Sequence, residues 1–157
     1  MITADTFPVS VIISWQPVEG NRWVTERWRA VGVIAGSSDA GVSRSLIHSS
    51  DRERQYLWNG FTLSLFKDDT ESYYSNLRGA KPGVFVICRQ DEGTEIVPFL
   101  VTVSYDEAAS YMEVDDQVYS VSIPPEIYVW LEQYVVQNYV PEQKKKRKRK
   151  RWHTTET

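Results

Sequence analysis

Alternation of apolar and polar positions dominates most of the chain and gives way to a helical period only near its end. Phe7 to Trp15 alternates loosely and is rich in Val and Ile, which predicts a strand. Pro17-Val18-Glu19-Gly20-Asn21 supplies turn residues, and Trp23 to Ile34, with Trp28, Val31 and Val33, resumes the strand pattern. The two segments predict a hairpin. Gly36 to Gly41 reads as a loop, and the polar run to Glu53, with Ser43, Ser45, Ser49 and Ser50, reads as irregular. Tyr56 to Phe66 carries the clearest alternation, through Tyr56, Trp58, Phe61, Leu63 and Leu65, with Asn59-Gly60 marking a turn or a bulge.

Asp68-Asp69-Thr70-Glu71 suits a helix entry, where acids are favoured, and the helix ends near Leu77 to Gly79. Pro82-Gly83 then starts a buried strand, Val84 to Arg89, which Asp91-Glu92-Gly93 joins to a second strand, Ile96 to Val103. Ser104 or Asp106 caps a short helix through Glu107, Ala108, Ala109 and Tyr111, and Val118, Tyr119 and Val121 form a last short strand. Pro124-Pro125 opens the clearest helix, because Pro is tolerated where the N–H is unpaired anyway. Ile127, Trp130, Leu131, Tyr134, Val135 and Asn138 follow the i, i+3, i+4, i+7, i+8, i+11 series, and Pro141 ends it.

This order predicts an α+β domain over residues 1–141, with a mostly antiparallel, strongly twisted sheet or partly closed barrel. The C-terminal amphipathic helix packs across that sheet or plugs one end of the barrel. Residues 142–157 form a basic tail that is expected to be disordered.

Charge is distributed unevenly. Residues 1–143 hold ten Lys/Arg against twenty Asp/Glu, a net of −10, whereas residues 144–157 hold eight against one, a net of +7. All eight cations are consecutive: Lys144, Lys145, Lys146, Arg147, Lys148, Arg149, Lys150 and Arg151. Such a block repels itself and offers a contact for polyanions or acidic surfaces. On nucleic acid it would neutralise up to ~8 phosphates with steep salt dependence. At an anionic membrane surface it would gain about 1 kcal/mol per residue, with only Trp152 nearby to insert. It also has the composition of a nuclear-import signal. A solubilising end that folds back on the acidic body is the plainest reading.

Cys88 is the single cysteine, so no intrachain disulfide forms; its apolar flanks predict a strand interior, where it acts as a small hydrophobe. Six Trp and nine Tyr supply large rings for a core of this size. The N-terminal Met1-Ile2-Thr3-Ala4-Asp5 lacks a basic region, and no segment approaches the ~20 apolar residues of a spanning helix, so the expectation is a cytoplasmic protein.

No catalytic constellation emerges. Asp68, Asp69 and Glu71 could hold a hard cation but lack the spacing of a calcium loop, and a solvated helix start explains them as well. Glu113 with Asp115-Asp116 reads as a surface turn. His48 and His153 are the only histidines, so neither a zinc cluster nor a Ser-His-acid set assembles. Neither is there a Gly-rich phosphate loop. The expectation is no catalytic residue, no metal and no cofactor.

Landmarks along nearly the whole chain resemble a proteobacterial family classed as a domain of unknown function, encoded beside molybdenum formate dehydrogenases and their maturation factors. They are Pro8-Val9-Ser10-Val11, Trp23 through Trp28 to Val31-Gly32-Val33, Leu63 and Leu65, and Glu71, Tyr74, Asn76 and Leu77. Val84-Val86, Val101-Thr102-Val103, Tyr105, Glu107, Ala108, Tyr111, Pro124, Trp130 and the closing Lys/Arg block complete the set. The resemblance implies a cytoplasmic bacterial accessory protein with no established biochemical activity, and an enzyme working through the body's carboxylates stays open as a third, weaker expectation. Its partner would be a molybdoenzyme subunit or maturation factor, met through Glu71, Tyr74 and Asn76 with help from residues 144–151. Asn76 alternatively satisfies backbone groups in a turn. A nucleic-acid or ribosome-associated role through the tail is the competing expectation.

Overall fold

The computed structural model of the chain describes residues 1–37, 41–90 and 93–140. Its elements are β1 (Thr6–Pro17), β2 (Glu26–Ala35), β3 (Ser43–Ser49), β4 (Arg54–Ser64), α1 (Thr70–Arg78), β5 (Gly83–Gln90), β6 (Ile96–Thr102), α2 (Tyr105–Met112), β7 (Gln117–Ser122) and α3 (Pro125–Asn138). A short 3-10 turn, Lys67–Asp69, leads into α1.

The α+β class and the antiparallel pairing are as expected, and among the described residues the strands form two sheets and no closed barrel. The first sheet runs β2-β1-β4-β3 and the second β6-β5-β7, every neighbouring pair antiparallel. The sheets meet where β2 lies beside β7 and β4 beside β6. Between them Phe7, Val9, Val11 and Ile13 of β1, with Phe61 and Leu63 of β4, pack against Val84, Val86 and Cys88 of β5.

The unbroken run Val84-Phe85-Val86-Ile87-Cys88 is explained by burial on both faces. Val84, Val86 and Cys88 join the inter-sheet core, while Phe85 turns the other way and meets Tyr105 of α2, rings 5.8 Å apart at 69°. β5 is the centre of a sheet with a layer on each side, so it needs no polar face.

α3 presents Ile127, Trp130, Leu131, Tyr134 and Val135 inward, as its spacing predicts. Trp130 meets Phe7 edge-on at 5.2 Å and its indole N–H donates to the Thr3 carbonyl at 2.8 Å, so α3 closes the end of the core where β1 begins. Ser104 caps α2 by accepting the Glu107 N–H at 3.1 Å.

Two expectations change. Residues 43–49 form a strand rather than an irregular run; all seven of their side chains are exposed, so no buried face writes an alternation into the sequence. The second strand begins at Glu26, leaving Trp23 in the connecting loop. Of the turn or bulge expected at Asn59-Gly60, the structure has the bulge, inside one continuous strand: β4 slips register against β1 there, and Gly60 adopts φ 101°. A Cβ on Gly60 would sit 2.6 Å from the Gly41 backbone, which forces glycine at the bulge. Residues 142–157, and with them the tail, lie outside the described residues.

Candidate interaction surface

The three α1 residues singled out from the sequence have different surroundings. Glu71 is exposed and lines a groove of about 270 Å³ with Ser72, Ser75, Tyr105 and Asp106, between the starts of α1 and α2. Hydroxyl contacts tie the neighbouring segments together: Ser104 Oγ is 3.1 Å from Ser72 Oγ, and Thr102 Oγ1 donates to Glu107 at 2.6 Å. Tyr74 is half-buried, stacked on Tyr139 with centroids 4.3 Å apart at 21°, and accepts a hydrogen bond from Arg78 at 3.0 Å.

Asn76 points to the opposite side of the helix, into the protein. Its Nδ2 donates to the carbonyls of Gly83 and Val103 at 2.8 and 3.0 Å, and its Oδ1 accepts the Gly83 N–H at 3.0 Å. Both donors are used, so Asn76 ties α1 to the start of β5 and the end of β6. The structure therefore brings Glu71 and Tyr74 toward the surface and places Asn76 in the framework beneath them. Lys144 to Arg151 lie outside the described residues.

Among the described residues no group of three or more His, Cys, Asp or Glu side chains is arranged to hold a metal ion. Asp115 occupies a left-handed turn position (φ 66°) and Asp116 pairs with Arg89 at 3.2 Å. His48 sits exposed on β3. Burial pushes the Cys88 thiol up to about 12, which keeps it protonated.

Two features carry no obvious signal in the sequence. At one end of the sheets Glu26 accepts from Thr94 Oγ1 and from Trp15 Nε1, the latter at 2.6 Å, and these bonds hold its carboxyl below the usual range. The Trp28 indole N–H lies near the same carboxylate and lowers it further, though outside hydrogen-bond geometry. Glu26 and Trp28 line a cleft of about 330 Å³ together with Gln117 and Tyr119 of β7. Arg44 of β3 forms an ion pair with Glu95, a second link between the sheets.

The other feature is the loop between β1 and β2. Asn21 Oδ1 accepts the backbone N–H of Trp23 at 2.8 Å and of Val24 at 3.2 Å, a side-chain turn that fixes the loop tip. Trp23 is 84 % exposed, and the Arg22 guanidinium lies 5.7 Å from its ring centroid. The signal was available in principle, since an Asn two residues before a Trp and directly after turn residues extends the turn through that Trp.

Charge also divides by layer. Residues 1–66 hold six Lys/Arg and six Asp/Glu, whereas residues 67–143, which supply the helices and the second sheet, hold four against fourteen. The body's whole net charge belongs to that second part.

A family described as a protein of unknown function, DUF3305, matches residues 8–148. The chain belongs to the DUF3305 family. The match begins inside β1, covers every later element, and runs five residues into the basic block. No curated protein and no solved structure matches. In the described residues the DUF3305 domain has no helix long and apolar enough to cross a membrane.

Proposed function

We infer that the chain is a non-catalytic binding module that assists the assembly, maturation or regulation of a molybdenum formate dehydrogenase-type enzyme in the bacterial cytoplasm. One observation carries the binding reading: Trp23, almost wholly exposed, is held at a hairpin tip by Asn21 and flanked by Arg22. Trp and Arg are the side chains that anchor protein interfaces, and a loop already fixed by its own hydrogen bonds loses little entropy on docking. The groups with shifted acidities support the same reading. Glu26 and Glu53 are held ionised, and Cys88, Tyr73, Tyr119 and Tyr134 are held neutral. Each shift moves the group's titration further from neutral pH, which suits a structural role rather than proton transfer.

Glu71 and Tyr74 on α1 form a second contact region, with Asn76 positioning the helix beneath them. The choice of partner rests on the family likeness described from the sequence. Binding of the purified full-length chain to a purified formate dehydrogenase-type enzyme tests the proposal. Trp23→Ala should weaken capture at least tenfold while leaving the melting temperature unchanged, because Trp23 makes little contact with the rest of the fold. Equal capture by both chains would remove Trp23 as the anchor, and capture by neither would remove the partner.

A further inference from the structure

Asn59 and Gly60 stand side by side at the bulge of β4, and such a pair can react with itself. The backbone nitrogen of the second residue attacks the side-chain amide of the first. Glycine in second place has no Cβ to hinder the approach and has the backbone freedom to make it. The chain has four asparagines, and the other three precede the bulkier Arg22, Leu77 and Tyr139. The fold cannot dispense with the glycine, because the Gly41 backbone lies 2.6 Å from where a Cβ would stand. A reactive pair is thus built into a strand that pairs on both sides, with β1 and with β3.

Both reacting groups are held in hydrogen bonds of their own. The Gly60 N–H donates to Ser37 Oγ at 2.6 Å, so the proton that the attack must remove is committed to that hydroxyl. Asn59 Oδ1 accepts from Ser10 Oγ at 2.7 Å. Ser10 is the β1 residue that faces the two bulge residues, and it is 3 % exposed. Side chains of a strand stand roughly perpendicular to the sheet, whereas ring closure needs the amide carbon against the next backbone nitrogen. The Ser10 bond keeps the Asn59 amide turned toward β1, and the Ser37 bond keeps the Gly60 nitrogen occupied.

We propose that Asn59 is a self-modification site that the folded bulge shuts and that local opening of β4 unlocks. In the opened chain the Gly60 nitrogen gives its proton to hydroxide and bonds to Asn59 Cγ. The Cγ–Nδ2 bond breaks, ammonia leaves, and a five-membered imide remains. Water then opens the imide at either carbonyl, to aspartate or to isoaspartate. One water is consumed and one ammonia released, with no oxidation or reduction. Isoaspartate adds a methylene to the backbone and shifts the rest of β4 against both neighbours, so the bulge cannot re-form. Ser37 belongs to the connection into β3, whose seven side chains are all exposed, so opening there costs less than parting the core. A chain that has opened at this point stays marked; one that has stayed folded does not.

Incubation of the full chain at mildly alkaline pH, in buffer and in denaturant, tests this by peptide mapping with mass spectrometry. In denaturant Asn59 should convert faster than Asn21, Asn76 and Asn138, with isoaspartate among the products. In buffer its conversion should be slower by about tenfold or more, because only the opened fraction reacts. Ser37→Ala removes the acceptor of the Gly60 N–H and should raise the rate in buffer by about threefold or more while leaving the rate in denaturant unchanged. Wild-type conversion as fast in buffer as in denaturant overturns the proposal, since the bulge then guards nothing. A folded Ser37→Ala chain that converts no faster than wild type overturns it too, because the guard then lies elsewhere.

Discussion

Asn76 and Gly83 exchange two hydrogen bonds, the Gly83 N–H donating to Oδ1 at 3.0 Å and Nδ2 donating to the Gly83 carbonyl at 2.8 Å. The side chain thus treats the first residue of β5 as a neighbouring strand would, and its second amide hydrogen reaches Val103 at the end of β6. One side chain sets the position of α1 against the second sheet. Asn76→Ala leaves three partly buried backbone groups unpaired and should cost about 2–4 kcal/mol, read from urea unfolding. Asn76→Asp should cost at least as much, since a carboxylate would face two carbonyls with no donor for either. Unfolding midpoints equal to wild type would remove Asn76 from the framework.

Gly83 is constrained from a second side. A Cβ there would lie 2.8 Å from Ser120 Oγ and 3.0 Å from the Val121 carbonyl. Gly83→Ala should therefore destabilise the chain by about 1–3 kcal/mol through overpacking, the reverse of the usual gain from removing a glycine. Ser120→Ala in the same chain should recover part of the loss, because only the hydroxyl contact is relieved. A Gly83→Ala chain that is more stable than wild type would contradict the close approach.

The fold was legible wherever burial writes a period into the sequence. α3 and β4 carry their buried faces as spacing and β5 carries burial on both faces as an unbroken apolar run, and their bounds came out within a few residues. β3 was illegible because its order comes chiefly from backbone pairing with β4, with every side chain exposed and none buried to write a period. Trp23 misled because a large ring after turn residues resembles the start of a strand. In the candidate surface, Glu71 and Tyr74 could be placed on one helix from sequence. The Glu26 clasp could not, since its partners Trp15 and Thr94 lie 11 and 68 residues away. No local pattern encodes contacts that the topology makes.

Two hydrogen-bonded carboxylates contribute stability that depends on pH. Glu26 is lowered first by Thr94 and then by Trp15, and Glu53 first by Ser14 and then by Gln55. A carboxyl whose folded pKa is depressed releases its proton more readily in the folded chain. The stabilisation is complete above the ordinary carboxylate pKa and is lost as pH falls through the lowered values. Urea midpoints should hence be flat near neutrality and fall on acidification. Thr94→Ala and Ser14→Ala should each flatten that fall while lowering the neutral-pH midpoint. An acid limb unchanged in both variants would mean that other groups control it.

Cys88 should be chemically silent in the native chain. It is fully buried in the inter-sheet core, and its thiol is pushed up to about 12, so neither access nor thiolate is provided at neutral pH. A thiol-specific chromogenic disulfide should label the chain only in denaturant. Rapid labelling of the native protein would show that the two sheets part readily.

The central claim, a binding module serving a formate dehydrogenase-type enzyme, is tested most directly by deleting the gene from a strain that encodes both. Formate oxidation and the enzyme's molybdenum cofactor content are then measured together. The account predicts that deletion lowers formate oxidation, that the wild-type gene restores it, and that a Trp23→Ala gene expressed to the same level does not. Wild-type formate oxidation with full cofactor content in the deleted strain would contradict it.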